Sequence, residues 1–213
     1  MATIKKGILG GFSGKVGTVI GGNWKGVDYM RSLPKASSKP ATALQTDQRL
    51  KFAAVMAFLK PIAAIVTKGY QSVTGARTPL NAAVSYHVKN AITGISPDFT
   101  IDTSKVIFSQ GDIAGAWAPM VESTLPASIS FSWQDNTGTG LAESEDKAVL
   151  LVHNPAKAQY VSLENAAERA DGEVNLILPA NFTGDEVDCW ISFSTEDGKR
   201  MATSVYIGKV TVA

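Results

Sequence analysis

At 213 residues, 45% hydrophobic and 18% charged, the chain is long enough for one domain or two small ones and apolar enough to bury a core. A net charge of +1 excludes a uniformly basic or acidic protein, a lone cysteine excludes an intramolecular disulfide framework, and no apolar run approaches the ~20 residues of a membrane span. The average hides a split: residues 1–110 carry 14 Lys and Arg against 4 Asp and Glu, and residues 111–213 carry 6 against 15, so a half of +10 adjoins a half of −9.

Residues 1–40 read as a basic, Gly-rich β-arm and linker. The stretch "GGFSGKVGTVIGGNWKG" (10–26) contains seven glycines and a Gly14-Lys15 pair. A phosphate-binding Walker loop is excluded, because Val16 stands where the magnesium-binding hydroxyl belongs and Leu9 where the first glycine belongs. No capped helix follows to offer its N-terminus to phosphate. The runs "KVGTVIGG" and "VDYMRSL", separated by "GGNWKG", predict a β-hairpin, and "SLPKASSKPAT" an extended linker. The N-terminus has lysines but no sustained apolar core, so no secretory signal is evident. Cytoplasm or virion is the expected location, with extracellular assembly requiring another export route.

Residues 41–97 read as helical. Thr42 and Gln45 have capping-box spacing, and Leu50, Ala53, Ala54, Val55, Phe58, Leu59, Ile62 and Val66 form a broad apolar surface. Pro61 is expected to kink or divide this helix. A second helix is predicted from Thr78 as cap, through Pro79 in the first turn, to Gly94 as terminator, with Leu80, Val84, His87, Val88 and Ala91 on one face.

Residues 98–213 change to period two. "KVIFSQ", "ASISFSW", "KAVLLVH", "EVNLILP", "VDCWISFST" and "TSVYIGKVTV" read as strands punctuated by turn signals, of which Asp197-Gly198 marks the clearest hairpin. Trp133 and Trp190 are the candidate inter-sheet core residues, and Cys189 a buried strand thiol. The fold class is therefore α+β: an N-terminal β-arm or hairpin, two principal helices and a C-terminal antiparallel immunoglobulin-like β-sandwich.

Chemistry is sparse. His87 and His153 have no Cys or second His at zinc-ligand spacing, and the acidic groups at 143–146 and 184–188 lack the alternation of a calcium loop. No catalytic, cofactor or metal-binding residue is assigned, and no enzyme activity is expected. The sequon at Asn181 is taken as chance without a secretory signal.

The phrases "GKVGTVIGGNWKGVDYMRSLPK", "TPLNAAVSYHVKNAITG", "SWQDNTGTG" and "LPANFTGDEVDCWISFSTEDGKRMATSVYIGKVTV" resemble, over essentially the full length, a domain-of-unknown-function family of bacterial and phage-associated proteins of similar size. The resemblance implies one shared architecture and carries no activity or catalytic residues.

The expected function is structural. Copies would associate head to tail, a basic arm on a neighbour's acidic β-domain, as a filament, tube, appendage or virion part. The arm's interface is assigned to Ile8, Leu9, Phe12, Lys15, Val16, Val19, Ile20, Trp24, Lys25, Tyr29 and Arg31. Other structural proteins are further possible partners. Alternatives are a monomeric sandwich binding a glycan or protein through Trp117 or Tyr160, and a nucleic-acid-associated protein that stacks bases on Phe12, Trp24 and Tyr29 among lysines and arginines.

Overall fold

A computed structural model describes residues 2–4, 7, 10–24, 26–35, 39–73 and 77–213. The chain forms two compact units, residues 1–42 and 43–213. The first is a four-stranded antiparallel sheet in sequence order: β1 (Thr3–Ile4), β2 (Phe12–Val16), β3 (Val19–Trp24) and β4 (Val27–Ser32). The predicted hairpin is thus part of a larger meander. Val16 pairs with Val19, so a two-residue turn joins β2 to β3, and Trp24 of β3 pairs with Val27 of β4. The Gly14-Lys15 pair lies mid-strand in β2.

The second unit opens with α1 (Ala43–Leu59) and α2 (Ala63–Gly69). Pro61 falls in the break, where the axis turns by 95°. Among the described residues no single helix is long and apolar enough to cross a membrane. Val55, Phe58, Leu59, Ile62 and Val66 are buried, while Ala53, expected on that surface, is exposed.

Next comes α3 (Pro79–Asn90), capped as its sequence predicts. The Thr78 hydroxyl accepts from Asn81 N–H at 3.3 Å. Thr78→Ala is expected to destabilise this unit by about 1 kcal/mol in denaturant titration. Gly94, read as the terminator, lies instead in a short hairpin of β5 (Ile92–Ile95) and β6 (Asp98–Ile101). Its φ of +90° is one that side-chain-bearing residues rarely adopt, so the glycine serves this strand and not a helix cap.

Seven further strands form the sandwich: β7 (Trp117–Glu122), β8 (Ser128–Gln134), β9 (Lys147–Asn154), β10 (Gln159–Leu163), β11 (Glu173–Ile177), β12 (Glu186–Ser194) and β13 (Val205–Thr211). One sheet has the order β10-β9-β12-β13 and the other β11-β8-β7. This division of seven antiparallel strands is that of immunoglobulin-like and fibronectin-like sandwiches. Between the sheets lie Ile129, Phe131 and Trp133 of β8, Leu176 of β11, Leu150 and Val152 of β9, and Cys189, Ile191 and Phe193 of β12.

The outer face of the larger sheet is buried too. Val149, Leu151 and Trp190 point away from the sandwich core and join Val55, Leu59, Ile65, Val66 and Tyr70 of the helical region. The unit therefore has three layers: helices, four strands, three strands. Trp190, expected between the sheets, lies between sheet and helices. Burial on both faces also explains why "AVLLV" and "VDCWISF" are nearly continuous apolar runs and not alternating ones.

The predicted strand "KVIFSQ" is absent. Residues 103–105 form a 3-10 turn, and the chain then runs extended, outside any sheet. Val106 and Phe108 are buried, and side chains bond the backbone between them. Trp190 Nε1 donates to Val106 O at 3.1 Å, and Tyr70 Oη to Ile107 O at 3.2 Å. The Ser204 hydroxyl accepts from Phe108 N–H at 2.9 Å.

Candidate functional site

The surface assigned from sequence lies on the N-terminal sheet, except that Ile8, Leu9 and Lys25 fall outside the described residues, as do Lys5 and Lys6. Side chains alternate across a strand, and residues paired across strands share a face. The registers Gly14–Gly21, Val16–Val19, Gly21–Met30 and Val19–Ser32 place Phe12, Val16, Val19 and Met30 on one face. The registers Lys15–Ile20, Ile20–Arg31, Gly22–Tyr29 and Trp24–Val27 place Lys15, Ile20, Trp24, Val27, Tyr29 and Arg31 on the other. The sequence assignment mixed these two sets, and it omitted Met30 and Val27.

The two faces differ in chemistry. The first is apolar, with Asn23 and Asp28 at one end, hydrogen-bonded to each other at 2.7 Å. The second is cationic and aromatic, with Lys15 and Arg31 flanking Ile20. Two glycines let side chains lie flat: a Cβ on Gly21 would strike the Phe12 ring and carbonyl, and one on Gly22 the Tyr29 ring. Both faces are open. Met30 is 72% exposed, Trp24 66%, Val27 65% and Val16 56%. Among the described residues of this unit only Gly21 is buried.

In the second unit, acidic side chains gather at one end of the sandwich. Glu143 and Glu145 from the β8–β9 loop and Glu196 and Asp197 from the turn after β12 line a groove of about 390 Å³, with Arg200. Arg200 is paired with Asp112, and Asp197 with Lys199 at 2.9 Å. The Thr195 hydroxyl and Lys199 together hold the Asp197 carboxyl far below its ordinary range. Glu143, Glu145 and Glu196 form no ion pair among the described residues.

The histidines are braces within the core. His87 is buried, its Nδ1 2.7 Å from Ala83 O and its Nε2 accepting from Ile107 N–H at 3.3 Å. That pairing requires a neutral ring protonated on Nδ1. Burial lowers the pKa below its ordinary value, partly offset by the Ala83 carbonyl. The unfolded chain therefore binds the proton more readily than the folded one, so stability falls as pH drops through about 6.5. In denaturant titrations between about pH 7 and pH 5, His87→Gln is expected to flatten this fall. An unchanged slope would contradict the assignment.

His153 stacks on Tyr160 at 4.5 Å between ring centroids and meets Phe58 edge-on at 5.3 Å. Its Nδ1 lies 3.5 Å from Asp188 Oδ2. Asp188 is buried and accepts from Tyr206 Oη at 2.8 Å and Thr103 Oγ1 at 3.0 Å. Burial pushes its carboxyl up, but His153 and the two hydroxyls outweigh this and hold it below the usual range. The sequence did not reveal this cluster, because its six members, Phe58, Thr103, His153, Tyr160, Asp188 and Tyr206, come from six separate segments. Tyr160, named for glycan contact, is committed to it, whereas Trp117 on edge strand β7 is 48% exposed. Among the described residues no group of three or more His, Cys, Asp or Glu is placed to hold a metal ion.

A family model described as a family of unknown function, DUF6266, matches residues 11–208. Similar solved structures include the fn3 domain of the human collagen alpha-1(XX) chain, 16% identical, with 47% of this chain and 86% of that one covered and a TM-score of 0.35. The FN1–FN3 domains of chicken CNTN1 are 14% identical, with 54% and 35% covered and a TM-score of 0.30. No curated protein matches the sequence.

Proposed function

We propose that this chain, which belongs to the DUF6266 family of unknown function, is a structural subunit that assembles head to tail with other copies of itself through its N-terminal sheet. The observation that carries this reading is the 1–42 unit, a small sheet with large apolar side chains exposed on both faces. A domain near ~40 residues usually needs disulfides, a metal or oligomerisation to hold its shape. This segment contains no cysteine. A neighbour that covers one face supplies what it lacks: each 100 Å² of apolar surface removed from water contributes roughly 2.5 kcal/mol. Strand addition is confined to the outer edges, because β3 already pairs on both sides. The outer edge of β4, six exposed residues, is the longer of the two.

The test is deletion of residues 1–42. Full-length protein is expected to form assemblies by light scattering and electron microscopy, and residues 43–213 to be a folded monomer. Full-length protein that stays monomeric at high concentration and low salt would sink the reading. A second reading is supported by the cation-and-aromatic face, which suits a single-stranded nucleic acid. It requires filter binding that weakens steeply with salt.

A further inference from the structure

The two faces of the N-terminal sheet need not meet the same partner, and their chemistry separates them. We infer that the Lys15–Arg31 face docks on the acidic groove of a second copy, the one lined by Glu143, Glu145, Glu196 and Asp197. This rests on the assembly reading above and names its contact.

Three observations carry it. First, Lys15 and Arg31 lie on neighbouring-but-one strands, about 10 Å apart across Ile20, and neither forms an ion pair among the described residues. Second, the groove gathers three exposed carboxylates, Glu143, Glu145 and Glu196, from two loops, and none of them forms an ion pair among the described residues. Third, the opposite sheet face has no cation among its described residues, so charge singles out one face and fixes orientation. A second copy is favoured over nucleic acid because the same chain carries a half of −9, which repels phosphate and supplies the complement. The aromatic and apolar members, Trp24, Tyr29 and Ile20, give the contact its desolvated centre, and the charges its register and encounter rate.

The arrangement predicts a charge-swap result. Full-length K15E/R31E and full-length E143K/E145K/E196K are each expected to need at least about tenfold more protein to assemble than the wild type, because like charges then meet. An equimolar mixture of the two recovers assembly, since each supplies the sign the other lacks. Circular dichroism checks that both are folded, and wild-type assembly that weakens with added salt tests the same contact without any substitution. If both variants assemble alone like the wild type, or wild-type assembly ignores salt, the contact is wrong although the assembly reading stands. If assembly requires added nucleic acid or is abolished by nuclease, the face binds a polyanion and the inference falls. If wild-type protein is monomeric throughout, the assembly reading itself has failed.

Discussion

Arg169→Ala is expected to lower the stability of the 43–213 unit by about 3–5 kcal/mol and its melting temperature by on the order of 10 °C. Arg169 is fully buried, with its guanidinium 3.9 Å from the centre of the Phe193 ring. Nη2 and Nε donate to Asp146 Oδ2 at 3.0 and 3.2 Å, Nη1 to Asn136 Oδ1 at 2.6 Å, and Nη2 also to Ala114 O at 2.9 Å. Its own carbonyl accepts from Trp133 Nε1 at 2.8 Å. One side chain thus ties two loops to the rim of the sandwich core. Alanine leaves a buried carboxylate with only the Glu143 N–H, at 3.1 Å, and an amide oxygen and a carbonyl without the arginine's N–H groups, and that penalty, more than the lost attraction, sets the size. Arg169→Lys keeps the charge but not the planar fork, so an intermediate loss is expected. A loss below about 1 kcal/mol for alanine would show that water replaces the arginine without difficulty.

Trp190→Ala is expected to cost about 3–5 kcal/mol, measured as a shift in denaturant midpoint. The indole is wholly buried between the larger sheet and the helices, 5.3 Å from the Tyr206 ring, and bonds the carbonyl of Val106. Trp190→Phe separates the two contributions. It keeps much of the volume and loses the N–H, so about 1–2 kcal/mol is expected. If phenylalanine costs as much as alanine, the bond to residue 106 dominates.

Local signals were legible where one residue settles the matter: Thr78 as cap, Pro61 as helix break, alternation in "SISFSW". Strand β7 was missed because Pro119, the left-handed Ala118 and an irregular register interrupt its period. Residues 106–108 read as a strand because all three are apolar, with Val106 and Phe108 buried, but their backbone partners are side chains of Trp190, Tyr70, His87 and Ser204, distant in sequence. The candidate surface was legible as a set of residues and not as two faces. That division depends on register, and a slip of one residue would exchange the faces.

The sheet that carries Trp190 also limits how the molecule can be subdivided. A free-standing sandwich keeps its outer faces polar, yet β9 and β12 turn Val149, Leu151 and Trp190 outward. Cutting the chain just before the sandwich would strip the helices from that layer and leave a greasy plate in water. Such a fragment should aggregate or stay partly molten, although its seven strands match an autonomous architecture. The natural boundary for a separately expressed piece is the one at residues 42 and 43, where the compact units divide.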